Sequence, residues 1–138
     1  MSEASLAAQQ LAVQALRQNT GIDSLVPHEN IFDRHARPEV FPCILIGEAQ
    51  TVGDDIDCAD LSEVYLTMHI WTQENTFSEC KTIAGAVRRV LRDLSDTRDG
   101  FACDFSFESA NFIRDPSGEH SHGILTFVVQ VEDTVGVI

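Results

Sequence analysis

Residues 63–72 read Glu-Val-Tyr-Leu-Thr-Met-His-Ile-Trp-Thr, and this stretch decides the fold. Apolar and more polar side chains alternate along it, which is the two-residue period of a β-strand. One face of the strand would carry the aliphatic residues Val64, Leu66, Met68 and Ile70. The opposite face would carry Tyr65, Thr67, His69 and Trp71. Because a strand with one strongly apolar face needs a cover, we expect a second layer to pack against it.

The residues after this strand change to a three- and four-residue period, which is typical of an amphipathic helix. The apolar stripe of this helix consists of Phe77, Ile83, Ala84, Val87, Val90, Leu91 and Leu94. The charged residues largely lie off the stripe, and they are Lys81, Arg88, Arg89, Arg92 and Asp93. Thr76 followed by Glu79 fits a capping box, which predicts that the helix begins near Thr76. The simplest arrangement lays this helix across a sheet that contains the strand.

The remaining segments predict one more helix and the other strands. In chain order these are a helix over residues 4–18, a helical turn within 22–26, a short edge strand at 31–32, and strands at 43–50, 101–113 and 120–132. Ser2 or Ser5 is the predicted cap of the first helix, and Gly21 its predicted end. Both faces of the strand at 43–50 are apolar at its start, which predicts a central position in the sheet.

Three connections are predicted to be irregular, at residues 51–62, 95–100 and 115–118, and residues 133–138 are predicted to form a loose tail. The first connection is the most acidic part of the chain, and connections of its length are often functional. This order of elements predicts an α+β fold. We expect a mostly antiparallel sheet of four to five strands with two helices packed on one face, in a single domain spanning residues 1–138.

Composition limits the possible functions. The chain has 138 residues, of which 43% are apolar, and a formal charge of −13 from 22 acidic and nine basic residues. This balance argues against a protein that holds nucleic acid by neutralising phosphates.

No stretch is long and apolar enough to span a membrane, and the first residues lack the features of a signal peptide, so the cytoplasm is the expected compartment. In that compartment the four cysteines, Cys43, Cys58, Cys80 and Cys103, are expected to be small buried side chains rather than disulfides.

Motifs that carry chemistry are scarce. His120 and His122 could share one face of a strand and hold a metal with a third ligand, although a polar hairpin end is the simpler interpretation. The aspartates between Asp54 and Asp60 lack the full calcium-loop spacing, which favours a solvated acidic loop. The sequence contains no phosphate-binding glycine loop, nucleophile elbow or zinc-protease motif. We therefore predict no catalytic residue, no cofactor and no metal site.

Several motifs together resemble the tail-completion, or tail terminator, proteins of long-tailed phages, prophages and gene transfer agents. The likeness runs from about Leu6 to Glu132 and includes the N-terminal helix. The other segments that carry it are Ile31-Phe32-Asp33, Phe41-Pro42-Cys43-Ile44-Leu45-Ile46-Gly47-Glu48, Leu66-Thr67-Met68-His69-Ile70-Trp71-Thr72, Ile83-Ala84-Gly85-Ala86-Val87-Arg88-Arg89-Val90-Leu91, Arg114-Asp115-Pro116-Ser117-Gly118 and His122-Gly123-Ile124-Leu125-Thr126-Phe127. One departure is Cys43, where the Phe-Pro pair is more usually followed by an aromatic residue.

The resemblance implies a structural virion protein rather than an enzyme. Such proteins form a homo-hexameric ring on the end of the tail tube, terminate tail polymerisation and join the tail to the head connector. The partners implied are other copies of the chain, the tail tube protein and the head-completion or connector protein, with DNA passing through the channel without sequence-specific binding. The implied localisation is the host cytoplasm during assembly and then the head–tail junction of the particle.

The residues that we expect at ring or partner contacts are Asp54, Asp55, Asp57, Asp60, Trp71, Arg114 and Asp115. An apolar patch around Trp71 and Tyr65 would favour assembly if the helices leave that face uncovered. Two alternatives remain. One is a small metal-dependent enzyme built on His69, His120 and His122, and the other is a monomeric binding module.

Overall fold

The structure is a computed structural model that describes residues 3–33, 40–54, 60–74 and 76–134. Its helices are α1 (Ala4–Gln18), α2 (Thr20–Asp23) and α3 (Ser78–Leu91), with a 3-10 turn at His28–Asn30. Its strands are β1 (Ile31–Phe32), β2 (Cys43–Gly53), β3 (Asp60–Thr72), β4 (Ser95–Arg98), β5 (Phe101–Arg114) and β6 (Ser121–Asp133).

The six strands form one mixed sheet in the order β1-β2-β3-β6-β5-β4. The short strand β1 is parallel to β2, and the other neighbours are antiparallel. The prediction of an α+β fold is confirmed, but that of four to five strands is wrong because β4 adds a sixth. The described residues contain three α-helices rather than two, since α2 forms a short helix of its own.

The core lies between the helices and one face of the sheet. The predicted aliphatic face of β3 is fully buried there, with Val64, Leu66, Met68 and Ile70 each 0% exposed. Ile83, Val87 and Leu91 of α3 pack into the same cluster. Leu11 and Leu16 of α1 also belong to it. Alternation in the strand and the stripe in the helix therefore predicted the packing correctly.

The helix ends differ from those predicted. The N-cap of α1 is Glu3, whose carboxylate accepts the N–H of Ser5 at 2.8 Å, rather than Ser2 or Ser5. The helix ends at Asn19, which also caps α2, so Gly21 lies inside α2 and does not terminate α1. The Asn19 backbone N–H donates to the carbonyl of Leu16 at the end of α1, and its side-chain oxygen accepts the N–H of Ile22 in α2, so one residue satisfies groups at both helix ends.

The predicted capping box at the start of α3 is also wrong. The N-cap is Phe77, which makes no side-chain capping bond. Instead the carboxylate of Glu74 accepts the N–H of Glu79 at 3.0 Å, and the Thr76 hydroxyl accepts the N–H of Ser78 at 3.4 Å. A side chain five residues upstream of Glu79 therefore reaches the first turn of α3.

Two predicted connections are partly strand. The ladder between β2 and β3 continues to the pair Gly53 and Ser62, which leaves residues 54–59 between the two strands instead of 51–62. The predicted turn at 95–100 contains β4, followed by a two-residue turn at Asp99-Gly100 with φ of 54° and 83°. Positive φ at both central residues is the geometry of a tight hairpin, for which Asp-Gly is a preferred sequence.

Candidate functional site

The helices pack on one face of the sheet, and among the described residues no helix covers the other face, which we call the helix-free face. The pairing register places on it the half-buried residues of β3 and their β6 neighbours. These residues are Tyr65, Thr67, His69, Trp71, His122, Ile124, Thr126 and Val128. A mixed apolar and aromatic face of this kind is typical of surfaces that meet other proteins.

An aromatic stack forms where β3 and β6 pair at the end of this face. The rings of Trp71 and His122 are nearly parallel, with centroids 3.9 Å apart and an angle of 11°. The ring of His69 stacks on that of His122, with centroids 4.9 Å apart, and its Nδ1 lies 2.7 Å from Nε2 of His122. Its own Nε2 lies 3.0 Å from a carboxylate oxygen of Glu48. A single chain of contacts therefore runs from Glu48 through both imidazoles to Trp71.

The surroundings of this chain of contacts hold the His122 imidazole neutral. Burial and the neighbouring His69 lower the pKa of His122 to about 4, so its ring is neutral at pH 7. Burial would raise the pKa of Glu48, but the hydrogen bond and charge interaction with His69, a backbone hydrogen bond and the interaction with His122 together outweigh it, so the pKa is lowered. With Nε2 of His69 donating to Glu48, the His69 Nδ1 can accept the N–H at Nε2 of His122.

Gly47 is required beneath this stack. A Cβ added at Gly47 would lie 2.6 Å from Cδ2 and 2.7 Å from Nε2 of His69. The position falls at the irregularity between β2 and β3, where the register shifts after Ile46. The β-bulge thus lets the His69 ring lie over the backbone of β2.

His120 and His122 do not act as a pair. The ring of His120 stacks on Phe41 at 4.6 Å, and its Nδ1 lies 3.8 Å from a carboxylate oxygen of Asp115. His122 faces Trp71 instead. Within the described ranges, no group of three or more His, Cys, Asp or Glu side chains is placed to hold a metal ion.

The predicted contact residues Arg114 and Asp115 lie where β5 turns into β6. Asp115 organises this turn, since its carboxylate accepts both the hydroxyl and the N–H of Ser117. The hydrogen bond from the Ser117 hydroxyl lowers the pKa of Asp115. The Arg114 guanidinium lies 4.6 Å from the centre of the Phe77 ring.

The acidic contact residues lie at the opposite end of the strands. Asp54 and Asp60 are both exposed, and the N–H of Asp54 donates to the carbonyl of Leu61 at 2.8 Å, which closes the described part of the β2–β3 hairpin. Asp55 and Asp57, and also Cys58, lie outside the described residues. The structure therefore places Trp71 near Arg114 and Asp115, and Asp54 with Asp60 at the far end.

A set of cation–aromatic contacts along α3 was missed by sequence reasoning. The Arg88 guanidinium lies 4.1 Å from the centre of the Phe107 ring, and the Lys81 ammonium lies 5.3 Å from that of Phe112. The charged side of the helix was predicted, but the rings come from β5 and could be assigned only with the strand register. Such contacts between a cation and a ring face are attractive.

Three cysteines, Cys43, Cys80 and Cys103, are buried, as predicted for them. Burial raises the pKa of the Cys80 and Cys103 thiols to about 11, which makes both poor nucleophiles. In the part of the chain that the structure describes, no helix has the length and apolar character needed to cross a membrane.

Comparison with known proteins gives a family and two similar folds. The sequence profile of the family described as Tail completion protein gp17 matches residues 11–132. No curated protein matches the chain. A chain in the virion of a native gene transfer agent (GTA) particle has a TM-score of 0.85 at 18% identity, over 96% of this chain and 99% of that chain. The gp17 protein of bacteriophage SPP1 has a TM-score of 0.62 at 21% identity, over 96% of this chain and 94% of that chain.

Proposed function

The chain belongs to the family of tail completion protein gp17, and from this membership we propose that it is a structural protein at the tail end of a phage or phage-like particle. The observation that carries the proposal is the profile match, which extends over residues 11–132. The similar fold of a chain in a gene transfer agent particle supports the same role. In this role the protein forms a homo-hexameric ring on the tail tube and stops further tube polymerisation.

The ring also joins the tail to the connector protein of the head, and DNA passes through its channel without sequence-specific binding. Assembly takes place in the host cytoplasm, after which the ring remains at the head–tail junction. No enzymatic step is needed for this function. The net charge of −13 suits a channel wall that repels phosphates and lets DNA pass without sticking.

The positions of the contact residues support a ring with two different surfaces. Asp54 and Asp60 lie at one end of the strands, and Arg114 and Asp115 lie at the other. The ladder from Asp60 to Thr72 places these ends roughly 40 Å apart at about 3.3 Å per residue. One end of the strands would face the tail tube and the other the head, with Trp71 near the second end.

Deleting the gene in its host and imaging the particles by electron microscopy tests the proposed function. We expect separate heads and tails, with some tails longer than normal, and recovery when the wild-type gene is supplied on a plasmid. Normal tailed particles that still deliver DNA would refute the structural role.

The acidic contacts can be tested separately in the same complementation strain. Changing Asp54, Asp55, Asp57 and Asp60 together to asparagine keeps the shape of each side chain and removes its charge. We expect fewer joined particles, because charged side chains at a protein contact steer and orient assembly. Unchanged tail length, attachment and DNA delivery would identify these residues as a solvated loop only.

A further inference from the structure

The exposed side of α3 carries a basic surface with aromatic rings beneath it, which we call the basic strip. Its cations are Lys81, Arg88, Arg89 and Arg114. Arg88 and Arg89 follow Lys81 by seven and eight residues, about two helical turns, which places all three on one side of the helix. The rings beneath them belong to Phe77, Phe107 and Phe112.

The cations of α3 have no ion-pair partner among the residues that the structure describes. Among the described residues, no carboxylate forms an ion pair with Lys81, Arg88 or Arg89. By contrast, Arg92 at the end of the same helix pairs with Asp93 at 3.5 Å. A chain of net charge −13 that has only nine basic residues nevertheless holds four of them together in this strip.

A complementary surface lies elsewhere on the molecule, and we call it the acidic end. It comprises Asp54, Glu63, Asp104 and Glu132. The register brings these residues together across neighbouring strands, since Glu63 is opposite Gln130, which is opposite Asp104. Leu61, which accepts the N–H of Asp54, is opposite Glu132. The acidic end lies on the helix-free face, whereas the basic strip lies on the helical side.

We propose that the basic strip of one subunit docks against the acidic end of a second copy of this chain. Because the two surfaces are on different sides of the molecule, they can meet only between copies, in a head-to-tail contact. Repeated head-to-tail contacts close into a ring when the rotation permits. The inference rests on the ring assembly proposed above and assigns the surfaces that would form it.

A protein partner fits the strip better than nucleic acid does. Arginine and aromatic side chains together are enriched at the centres of protein interfaces. A phosphate backbone approaching the strip would meet the field of a chain whose net charge is −13, which opposes binding. The acidic end of another copy offers carboxylates in similar number to the cations of the strip.

Charge reversal tests the contact from both sides. One variant carries Arg88→Glu and Arg89→Glu, and the other carries Asp54→Lys and Glu132→Lys; all four side chains are exposed. Each is expressed alone in the deletion strain, and joined particles are counted by electron microscopy. We expect each variant alone to lower the yield about tenfold or more, because like charges then face each other.

Co-expression of the two variants is the decisive arm. In a ring that alternates the two variants, every contact again joins opposite charges, so we expect the yield to recover to near the wild-type level.

The variant with Asp23→Lys and Glu29→Lys is the control. It adds the same charge as the acidic-end variant at exposed sites outside both surfaces, and should assemble normally. Urea unfolding of each purified variant confirms folding; a misfolded strip variant is replaced by Lys81→Glu with Arg89→Glu.

Normal particles from either reversed variant alone, or folded variants that fail to rescue each other, would overturn the assigned contact. DNA retention in a gel that is lost only in the strip variant, without rescue on mixing, would assign the strip to nucleic acid instead. If the gene deletion itself leaves normal particles, the proposed function fails, which is distinct from failure of this contact.

Discussion

At the scale of single residues, the helix-free face depends on a close approach between β2 and β3. Gly47 leaves the space that the His69 ring occupies, and His69 in turn joins Glu48 to His122. His122 then presents its ring to Trp71. The absence of a Cβ at Gly47 therefore allows the stack to form. The stack in turn determines the shape of the surface that we expect to contact a partner.

We expect Gly47→Ala to destabilise the protein by about 1–3 kcal/mol, because the new methyl group would overlap the His69 ring and force it out of the stack. Urea unfolding measures the change. Gly53→Ala is the matched control, since a Cβ at Gly53 meets nothing within 4 Å, and it should alter stability by less than about 0.5 kcal/mol. Equal effects at the two glycines would contradict the steric role of Gly47.

Stability should also depend on the protonation of His122. Its pKa of about 4 in the folded protein is below the value of 6.5 for an unperturbed imidazole, so the unfolded chain binds the proton more readily. The contribution of His122 to the free energy of unfolding is therefore complete above about pH 6.5, falls as the pH is lowered, and levels off below about pH 4.

Between pH 7 and pH 5 we expect the wild-type protein to lose about 1 kcal/mol more stability than His122→Gln, allowing for partial solvent screening. Urea unfolding at each pH measures the difference. His28→Gln removes an exposed imidazole elsewhere on the molecule and serves as the comparison variant. Parallel profiles for wild type and His122→Gln would show that His122 is not held neutral by its surroundings.

At the scale of elements, the start of α3 depends on a residue outside the helix. The Glu74 carboxylate accepts the N–H of Glu79 and the hydroxyl of Thr76. It therefore satisfies one terminal N–H group of α3 and also holds the Thr76 side chain in place. Ser121 of β6 binds the same segment by donating to the carbonyl of Thr76 at 2.7 Å. The end of β3, the start of α3 and the start of β6 are thereby fixed together.

We expect Glu74→Ala to destabilise the protein by about 0.5–2 kcal/mol, the usual cost of losing a side-chain helix cap. Glu74→Gln keeps an acceptor oxygen but loses the negative charge near the helix N-terminus, and should cost less. Gln73→Ala changes the exposed neighbour and serves as the control. Thermal unfolding followed by circular dichroism ranks the three variants, and no difference between Glu74→Ala and the control would refute the cap.

The elements show which parts of the fold can be predicted from sequence. Alternation located β3, β5 and β6 and the buried face of β3, because burial on one side imposes a two-residue period. All four residues of β4 are exposed, so they show no such period. The pair Asp99-Gly100 is a signal for a tight hairpin, which predicts a strand on each side of it, and β4 is the strand that precedes it.

The candidate site was less predictable because it depends on pairing over long sequence distances. The face that carries Trp71 follows from alternation, but the stack requires that Trp71 be opposite His122, which no local pattern specifies. The rings under Lys81 and Arg88 likewise come from β5. The capping box failed for a related reason: the Glu79 N–H is bound by Glu74, five residues upstream, whereas the predicted motif assigns it to Thr76, which instead binds the N–H of Ser78.

At the scale of the whole molecule, charge is unevenly distributed. A net charge of −13 destabilises the compact state by self-repulsion, while the cations of α3 are gathered on one side instead of being paired across the surface. The exposed pair of Arg92 with Asp93 contributes little in return. The same distribution that weakens the isolated subunit would favour contacts between copies, because the neighbour supplies the missing opposite charge.

We therefore expect salt to stabilise the isolated subunit. Raising sodium chloride from about 20 mM to about 500 mM shortens the screening length from roughly 20 Å to about 4 Å, which weakens the repulsion among carboxylates more than it weakens the few attractive pairs. The urea midpoint at pH 7 should rise. In the variant with Asp54→Asn and Glu132→Gln the rise should be smaller, since two charges of the acidic end are gone. A midpoint that falls with salt, or an equal rise in both proteins, would show that self-repulsion does not limit the stability of the folded chain.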